Sequence, residues 1–225
     1  MEQVVMTNKK SGNCIIIGAG DLTVGSIPFD PEKDYVIAAD GGLMYCQVLE
    51  LEPDMIIGDF DSLDGEFGEA VKVIRENCPQ KVITLPCEKD DTDLLAAVKH
   101  GLKLGYRSFR LYGANGGRLE HTIANIQTLK FLKEQGAVGY IMDGNGMILL
   151  AQNETVSFRD TMEGYVNVFA MNEKAHGVTI RGLKYELDCV TLTNGMPIGV
   201  SNEFIGQRSD ITVEDGTLLI IVNWV

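Results

Sequence analysis

Five short stretches carry most of the residues able to do chemistry, and all five are rich in glycine and aspartate. They are Gly18-Ala19-Gly20-Asp21, Asp40-Gly41-Gly42, Gly58-Asp59-Phe60-Asp61-Ser62, Glu88-Lys89-Asp90-Asp91-Thr92-Asp93 and Gly113-Ala114-Asn115-Gly116-Gly117-Arg118. Asp59 and Asp61 are two residues apart, so in an extended segment their carboxylates share a side. At ~5 Å and an effective dielectric of ~20 they repel by roughly 3 kcal/mol. A cation between them removes that cost, and Mg²⁺ suits a site of few carboxylates completed by substrate phosphates. The run at 88–93 holds four acids where a helix cap and first turn need one or two. Asp93 is placed one step into that helix, able to turn back toward the acids after the third strand. The segment from Gly113 to Arg118 is a strand-to-helix loop whose amides, with the Arg118 fork, suit a phosphate. It has neither a Walker A Gly-Lys-Ser/Thr nor a GxGxxG pattern. Glycine and aspartate are also ordinary turn residues, and His121 in the first turn of that helix reads first as an exposed capping side chain.

Those stretches need strands and helices to position them. Apolar, β-rich runs occur at Cys14–Ile17, Tyr35–Ala39, Met55–Ile57, Lys81–Leu85 and Ser108–Tyr112. Helical patterns lie between them at Leu43–Leu51, Glu66–Asn77, Thr92–Leu104 and Leu119–Glu134, the last with Ile123, Ile126, Leu129 and Leu132 read as one apolar face. Alternation of this kind predicts a parallel sheet with helices on both sides, and ligands bind beyond the carboxyl ends of such strands. After Gly136 the helical patterns stop, and short strand-like runs follow, divided by Asp143-Gly144-Asn145-Gly146, Asn194-Gly195 and Asp215-Gly216. The expected fold is therefore an N-terminal parallel-sheet α/β domain, 1–150, followed by a C-terminal all-β sandwich domain, 151–225, with the boundary placed to within about ten residues.

Bulk properties narrow the partners. The 225-residue chain is 45% hydrophobic and carries a formal net charge of −13. Such a charge disfavours nucleic acids and anionic membranes as partners, and obliges any polyphosphate site to supply local positive charge. The five cysteines show no CxxC or paired His/Cys spacing, which disfavours a zinc site and a disulfide framework. The polar start and the absence of a long apolar run give a cytoplasmic expectation.

Taken in order, DGG at Asp40–Gly42, GDFDS at Gly58–Ser62, KDDTD at Lys89–Asp93, GGRLEH at Gly116–His121, GLKY at Gly182–Tyr185 and SNEF at Ser201–Phe204 resemble the thiamine pyrophosphokinase family. The resemblance implies an α/β catalytic domain, a C-terminal β-sandwich, and a homodimer with the thiamine site at the subunit interface. It implies ATP as co-substrate and Mg²⁺ held by Asp59, Asp61 and Asp93, with Asp40 and Asp90 beside the polyphosphate and Arg118 near the phosphates. Tyr185, Ser201 and Asn202 match the thiamine pocket. Glu120 and Tyr185 depart from the Asp and the larger aromatic found in some members. The implied reaction is attack of the thiamine hydroxyl on the β-phosphorus of ATP, with AMP leaving and a carboxylate such as Asp93 or Asp40 taking the proton. Two other classes fit parts of the pattern. One is a metal-dependent phosphatase of the haloacid-dehalogenase type, whose nucleophilic Asp follows the first strand rather than the third; the other is a non-catalytic nucleotide-binding module.

Overall fold

Cys14-Ile15-Ile16-Ile17 has no polar member, so it is stable only where both faces of a strand are covered. In the computed structural model, which describes residues 10–60, 65–88 and 90–224, all four of these side chains are fully buried. The chain divides into two compact units, Met1–Gly144 and Asn145–Val225. The first unit contains β1 (Cys14–Ile17), β2 (Tyr35–Ala39), α1 (Gly42–Val48), β3 (Met55–Gly58), α2 (Gly65–Asn77), β4 (Val82–Thr84), α3 (Asp93–Lys103), β5 (Ser108–Tyr112), α4 (Leu119–Glu134) and β6 (Val138–Asp143).

Its six strands lie in the order β6-β5-β1-β2-β3-β4, and every pair is parallel. The order runs outward from β1 to β4 and then jumps back across β1 to β5. That reversal puts the topological switch point between β1 and β5, where an open α/β sheet forms its ligand crevice. Leu43 and Cys46 of α1 and Val71 of α2 join Ile15, Ile17, Val36 and Ala38 in one buried cluster. Leu94, Ala97 and Val98 of α3 are buried as well, and α3 packs on β1, β2 and β3. The close approach of α3 to the sheet depends on Gly101. A Cβ there would lie 2.6 Å from the Cys14 Sγ and 2.7 Å from the Phe109 ring.

One helix differs from its sequence reading. In α4, Leu129 and Leu132 are buried, yet Ile123 is half exposed, and Asn125 and Thr128 are buried in its stead. Three residues advance a helix by about 300°, so a strict three-residue row winds around the axis instead of keeping to one face.

The second unit is all-β: β7 (Gly146–Gln152), β8 (Thr155–Phe158), β9 (Tyr165–Ala170), β10 (Lys174–Arg181), β11 (Leu187–Thr193), β12 (Gly199–Glu203), β13 (Ser209–Thr212) and β14 (Thr217–Asn223). Two antiparallel arrays of four form, in the orders β12-β9-β14-β7 and β11-β10-β13-β8. Val166, Val168, Leu218, Ile220 and Val222 of the first are buried, as are Ala175, Val178, Ile180, Leu192 and Ile211 of the second. Phe158 meets Phe204 edge to face at 5.4 Å between centroids. This is the expected β-sandwich. Ser201 and Asn202 belong to the edge strand β12. Among the described residues no helix is long and apolar enough to cross a membrane.

Candidate active site

At the switch point the loops after β1 and β5 are joined by their backbones. Gly18 N–H donates to the Tyr112 carbonyl at 2.8 Å, Gly20 N–H to Gly113 at 2.8 Å, and Asp21 N–H to Asn115 at 2.9 Å. The contact is too close for side chains. A Cβ on Gly18 would lie 2.6 Å from the Gly113 oxygen, and one on Gly113, whose φ is 57°, would lie 2.5 Å from the Gly18 oxygen. Glycine here is a steric requirement, and the result is a cavity floor made of main chain.

That floor belongs to a cavity of about 380 Å³ lined by Gly18–Asp21, Asp40, Thr92–Leu94, Gly113, Ala114, Gly116–Arg118, His121 and Asn125, among others. The structure therefore brings together Asp40, Asp93, Gly113, Gly116 and Arg118, five of the residues singled out from the sequence. Asp40 follows β2 with φ 48°, a left-handed conformation that costs a non-glycine residue about 1 kcal/mol and clusters at functional sites. Gly42, two residues on, is fixed by contact: a Cβ there would stand 1.9 Å from the Ile17 oxygen.

The acidic run before α3 divides its labour. Thr92 is the N-cap, its hydroxyl accepting from Leu95 N–H at 3.2 Å. Asp91 pairs with Lys99 through both oxygens at 2.7 Å. Asp93 is the first helical residue and lines the cavity. It shares that lining with Asp40, which follows β2. Asp90 is exposed and outside the lining.

Asp59 follows β3 directly. Gly58 lies against Asp40, a Cβ on it falling 3.2 Å from the Asp40 Cα. Phe60 is buried with φ 53°, and the Arg75 guanidinium stands 5.0 Å from its ring centroid. A left-handed residue between Asp59 and Asp61 means that the strand does not continue through them. The same-side argument from an extended segment therefore fails at Phe60. Asp61, Ser62 and Lys89 lie outside the described residues.

Arg118 is the N-cap residue of α4, and its guanidinium bonds Glu120 at 2.9 Å and contacts His121 Nε2. The Glu120 carboxyl is held below its usual range, first by its own backbone N–H and then, against some desolvation, by Arg118. Three carboxylates in the lining, Asp21, Asp40 and Asp93, outnumber its one guanidinium. An ATP polyphosphate enters such a site only with added positive charge. The acidic donors are all hard oxygen, which suits Mg²⁺ and not a thiol- or imidazole-seeking metal. Among the described residues no three His, Cys, Asp or Glu side chains are grouped to hold an ion by themselves.

Two lining residues escaped selection from the sequence. Asp21 accepts Gly117 N–H at 3.2 Å, and a Cβ on Gly116 would fall 2.2 Å from its Oδ2. Its signal was the Gly-Ala-Gly-Asp stretch ending β1. Asn125 is buried and donates to the Ala114 carbonyl at 2.7 Å. Thr128 shares that buried face, so no unbroken apolar row marked Asn125 in the sequence.

The remaining predicted residues gather in the second unit. The Asn202 carboxamide is buried and clamps one turn: its Oδ1 accepts Tyr185 N–H at 2.9 Å, and its Nδ2 donates to the Tyr185 carbonyl at 2.6 Å. Tyr185 projects from that turn, 60% exposed, with Lys184 Nζ 5.6 Å from its ring centroid. Ser201 is exposed with φ 59°, and its N–H donates to Asn167 at 2.9 Å.

A parallel α/β unit with a glycine-floored, acid-rimmed crevice at its switch point, followed by an antiparallel β unit, defines a two-domain enzyme architecture of the nucleotide-using kind. Residues 31–139 match the thiamin pyrophosphokinase catalytic domain and residues 152–218 match the thiamin pyrophosphokinase vitamin B1 binding domain. The chain belongs to the thiamin pyrophosphokinase family. A thiamine pyrophosphokinase of Bacillus subtilis is 26% identical over 213 residues, 94% of this chain and 98% of that one. One of Caenorhabditis elegans is 26% identical over 85% of this chain and 81% of its own length. The crystal structure of thiamine pyrophosphokinase from B. subtilis superposes with a TM-score of 0.84 at 25% identity, covering 94% of this chain and 99% of that one. The one from Geobacillus thermodenitrificans does so with 0.79 at 27%, covering 95% and 98%.

Proposed function

We propose that this chain is a thiamine diphosphokinase, which moves the pyrophosphoryl group of ATP to the thiamine hydroxyl and releases AMP. The observation that carries this reading is the crevice at the β1/β5 switch point, glycine-floored and flanked by Asp40 and Asp93, in a chain matched by both family domains. The main chain at Gly18–Gly20 and Gly113–Gly117, with Arg118, receives the polyphosphate. By the family pattern Asp59, Asp61 and Asp93 would hold Mg²⁺, with Asp40 in the cavity and Asp90 assigned beside the polyphosphate by the same pattern. An ion held there would offset the charge of the phosphates.

The thiamine hydroxyl oxygen attacks the β-phosphorus. The bond from that phosphorus to the α,β-bridging oxygen breaks, and the oxygen departs with AMP. The hydroxyl proton passes to a carboxylate, for which Asp40 and Asp93 stand in the cavity. Such transfer depends on positioning and charge stabilisation more than on covalent help.

Tyr185 offers an exposed ring to the thiazolium cation. Ser201 is assigned to the thiamine site by the family pattern alone, while Asn202 acts by fixing the Tyr185 turn. Met196, Ile198 and Val200 are exposed along the approach to and start of edge strand β12, which supports burial of this edge in a homodimer. The dimer completes the thiamine site, and the enzyme works in the cytoplasm. The phosphatase reading has no support, since its nucleophile would follow the first strand.

The test is to incubate the protein with ATP, Mg²⁺ and thiamine and to separate the nucleotides by chromatography. AMP formed only when thiamine is present, and abolished by EDTA, is the expected result. ADP, or phosphate released without thiamine, would overturn the reading.

A further inference from the structure

The loop from Gly113 to Arg118 lines the cavity, yet the residue that ties it down from outside does not. Asp143 is the last residue of β6, which lies beside β5. Its Oδ2 accepts the Asn115 Nδ2–H at 2.6 Å, and its Oδ1 accepts the Thr23 hydroxyl at 2.7 Å. Thr23 Oγ1 in turn accepts Gly144 N–H at 2.8 Å. The segments touch, since a Cβ on Gly144 would lie 2.6 Å from the Thr23 oxygen. One carboxylate thus joins the loops that follow three adjacent strands, β1, β5 and β6. None of Thr23, Asn115 and Asp143 is in the cavity lining.

The Asn115 side chain shows which bond governs its orientation. Its Oδ1 is buried and has no hydrogen-bond partner among the described residues. Turning the amide over would aim that oxygen at the Asp143 carboxylate, so the carboxylate dictates the amide's direction at the expense of its other end. Asn115 also accepts Asp21 N–H through its carbonyl at 2.9 Å. Its backbone and side chain are therefore both committed, midway along the loop between Gly113 and Gly116.

We infer that Asp143 is a positioning residue for the nucleotide, acting through Asn115 and Thr23 to preorganise the β5–α4 loop. This rests on the reading that ATP occupies the cavity. Preorganised loops spare the ordering cost of binding, so losing the tie weakens the ligand without touching it. The sign of the effect separates this role from plain electrostatics. Removing a negative charge near a polyphosphate strengthens its binding by Coulomb's law, whereas removing a positioning tie weakens it.

The experiment measures the affinity of Mg²⁺ with α,β-methylene-ATP by calorimetry for the wild type, Asp143→Ala, Asp143→Asn and Thr23→Val, together with KM for ATP and for thiamine. Asp143→Ala is expected to weaken the analogue and raise KM for ATP by about 10-fold, leaving KM for thiamine unchanged. Asp143→Asn is expected to recover to within about 3-fold of wild type, because its amide accepts from Asn115 and donates to Thr23. Thr23→Val, which removes the two exposed bonds of the Thr23 hydroxyl and does not threaten folding, is expected to weaken the analogue about 3-fold. Unchanged or tighter binding in Asp143→Ala or in Thr23→Val would overturn the inference. So would equal loss in Asp143→Asn and Asp143→Ala, or a parallel loss of affinity for both substrates. A wild type that binds the analogue but turns over no thiamine would overturn only the functional reading; one that binds no analogue would overturn both.

Discussion

At the scale of single residues, the site rests on a few side chains and on several positions where none is allowed. Asp93 lines the cavity from the first turn of α3 and makes no part of the cap, which Thr92 supplies. Asp93→Asn is therefore expected to lower kcat by about 100-fold or more while the melting temperature stays within a few degrees of wild type. Steady-state kinetics and a thermal scan on the same sample check it. Gly116 has φ 75° and no room for a methyl group beside Asp21. Gly116→Ala is expected to raise KM for ATP more than KM for thiamine, as a shifted loop would. Asp40, Asp93, Gly113, Gly116 and Arg118 were legible in the sequence because glycine and aspartate accumulate where strands of a parallel sheet end. Asn125 was not, since a helix row counted by threes conceals which residue faces the crevice. Nor was the left-handed Phe60, because nothing in the order Gly-Asp-Phe-Asp-Ser marks φ as positive.

At the scale of elements, α3 couples the site to the sheet. Its Thr92 cap satisfies one of the helix's free N–H groups, so Thr92→Ala is expected to cost about 1 kcal/mol in urea unfolding. Near its other end His100 has a buried Nε2 without a hydrogen-bond partner among the described residues. Desolvation, and secondarily Lys103, hold its pKa below the ordinary 6.5. A depressed folded-state pKa means that the unfolded chain takes up the proton first as pH falls. The stability His100 contributes is thus fully present above about pH 6.5 and is lost progressively below it. Unfolding free energies at several pH values for wild type and His100→Gln should diverge in that acid range; parallel curves would remove His100 from the account. The alternating strands and helices of the first unit were legible because its central strands β1, β2 and β3 are almost continuously apolar. The strands β12 and β13 were not. Gly-Val-Ser-Asn-Glu lies on an edge and buries only its asparagine, and Ser-Asp-Ile-Thr turns a buried serine inward, so neither shows the apolar alternation of a half-buried strand.

At the scale of the whole molecule, thiol reactivity reports whether the first unit is packed as described. Cys14 and Cys46 are buried, and burial raises both thiols, that of Cys46 to about 12. Cys87 and Cys189 are exposed. A thiol reagent at pH 8 should modify Cys87 and Cys189 rapidly and reach Cys14 and Cys46 only on unfolding, as peptide mapping would show. The net charge of −13 disfavours polyanion surfaces as partners but leaves a place for a cationic acceptor and for ATP accompanied by a cation. The central claim is that the thiamine hydroxyl attacks the β-phosphorus in the β1/β5 crevice. ATP carrying ¹⁸O at the α,β-bridging position, incubated with thiamine and Mg²⁺ and followed by mass spectrometry, tests it most directly. The expected result is thiamine diphosphate in step with AMP, all of the bridging label leaving with AMP. Label retained in the pyrophosphoryl group, or ADP in place of AMP, would contradict it.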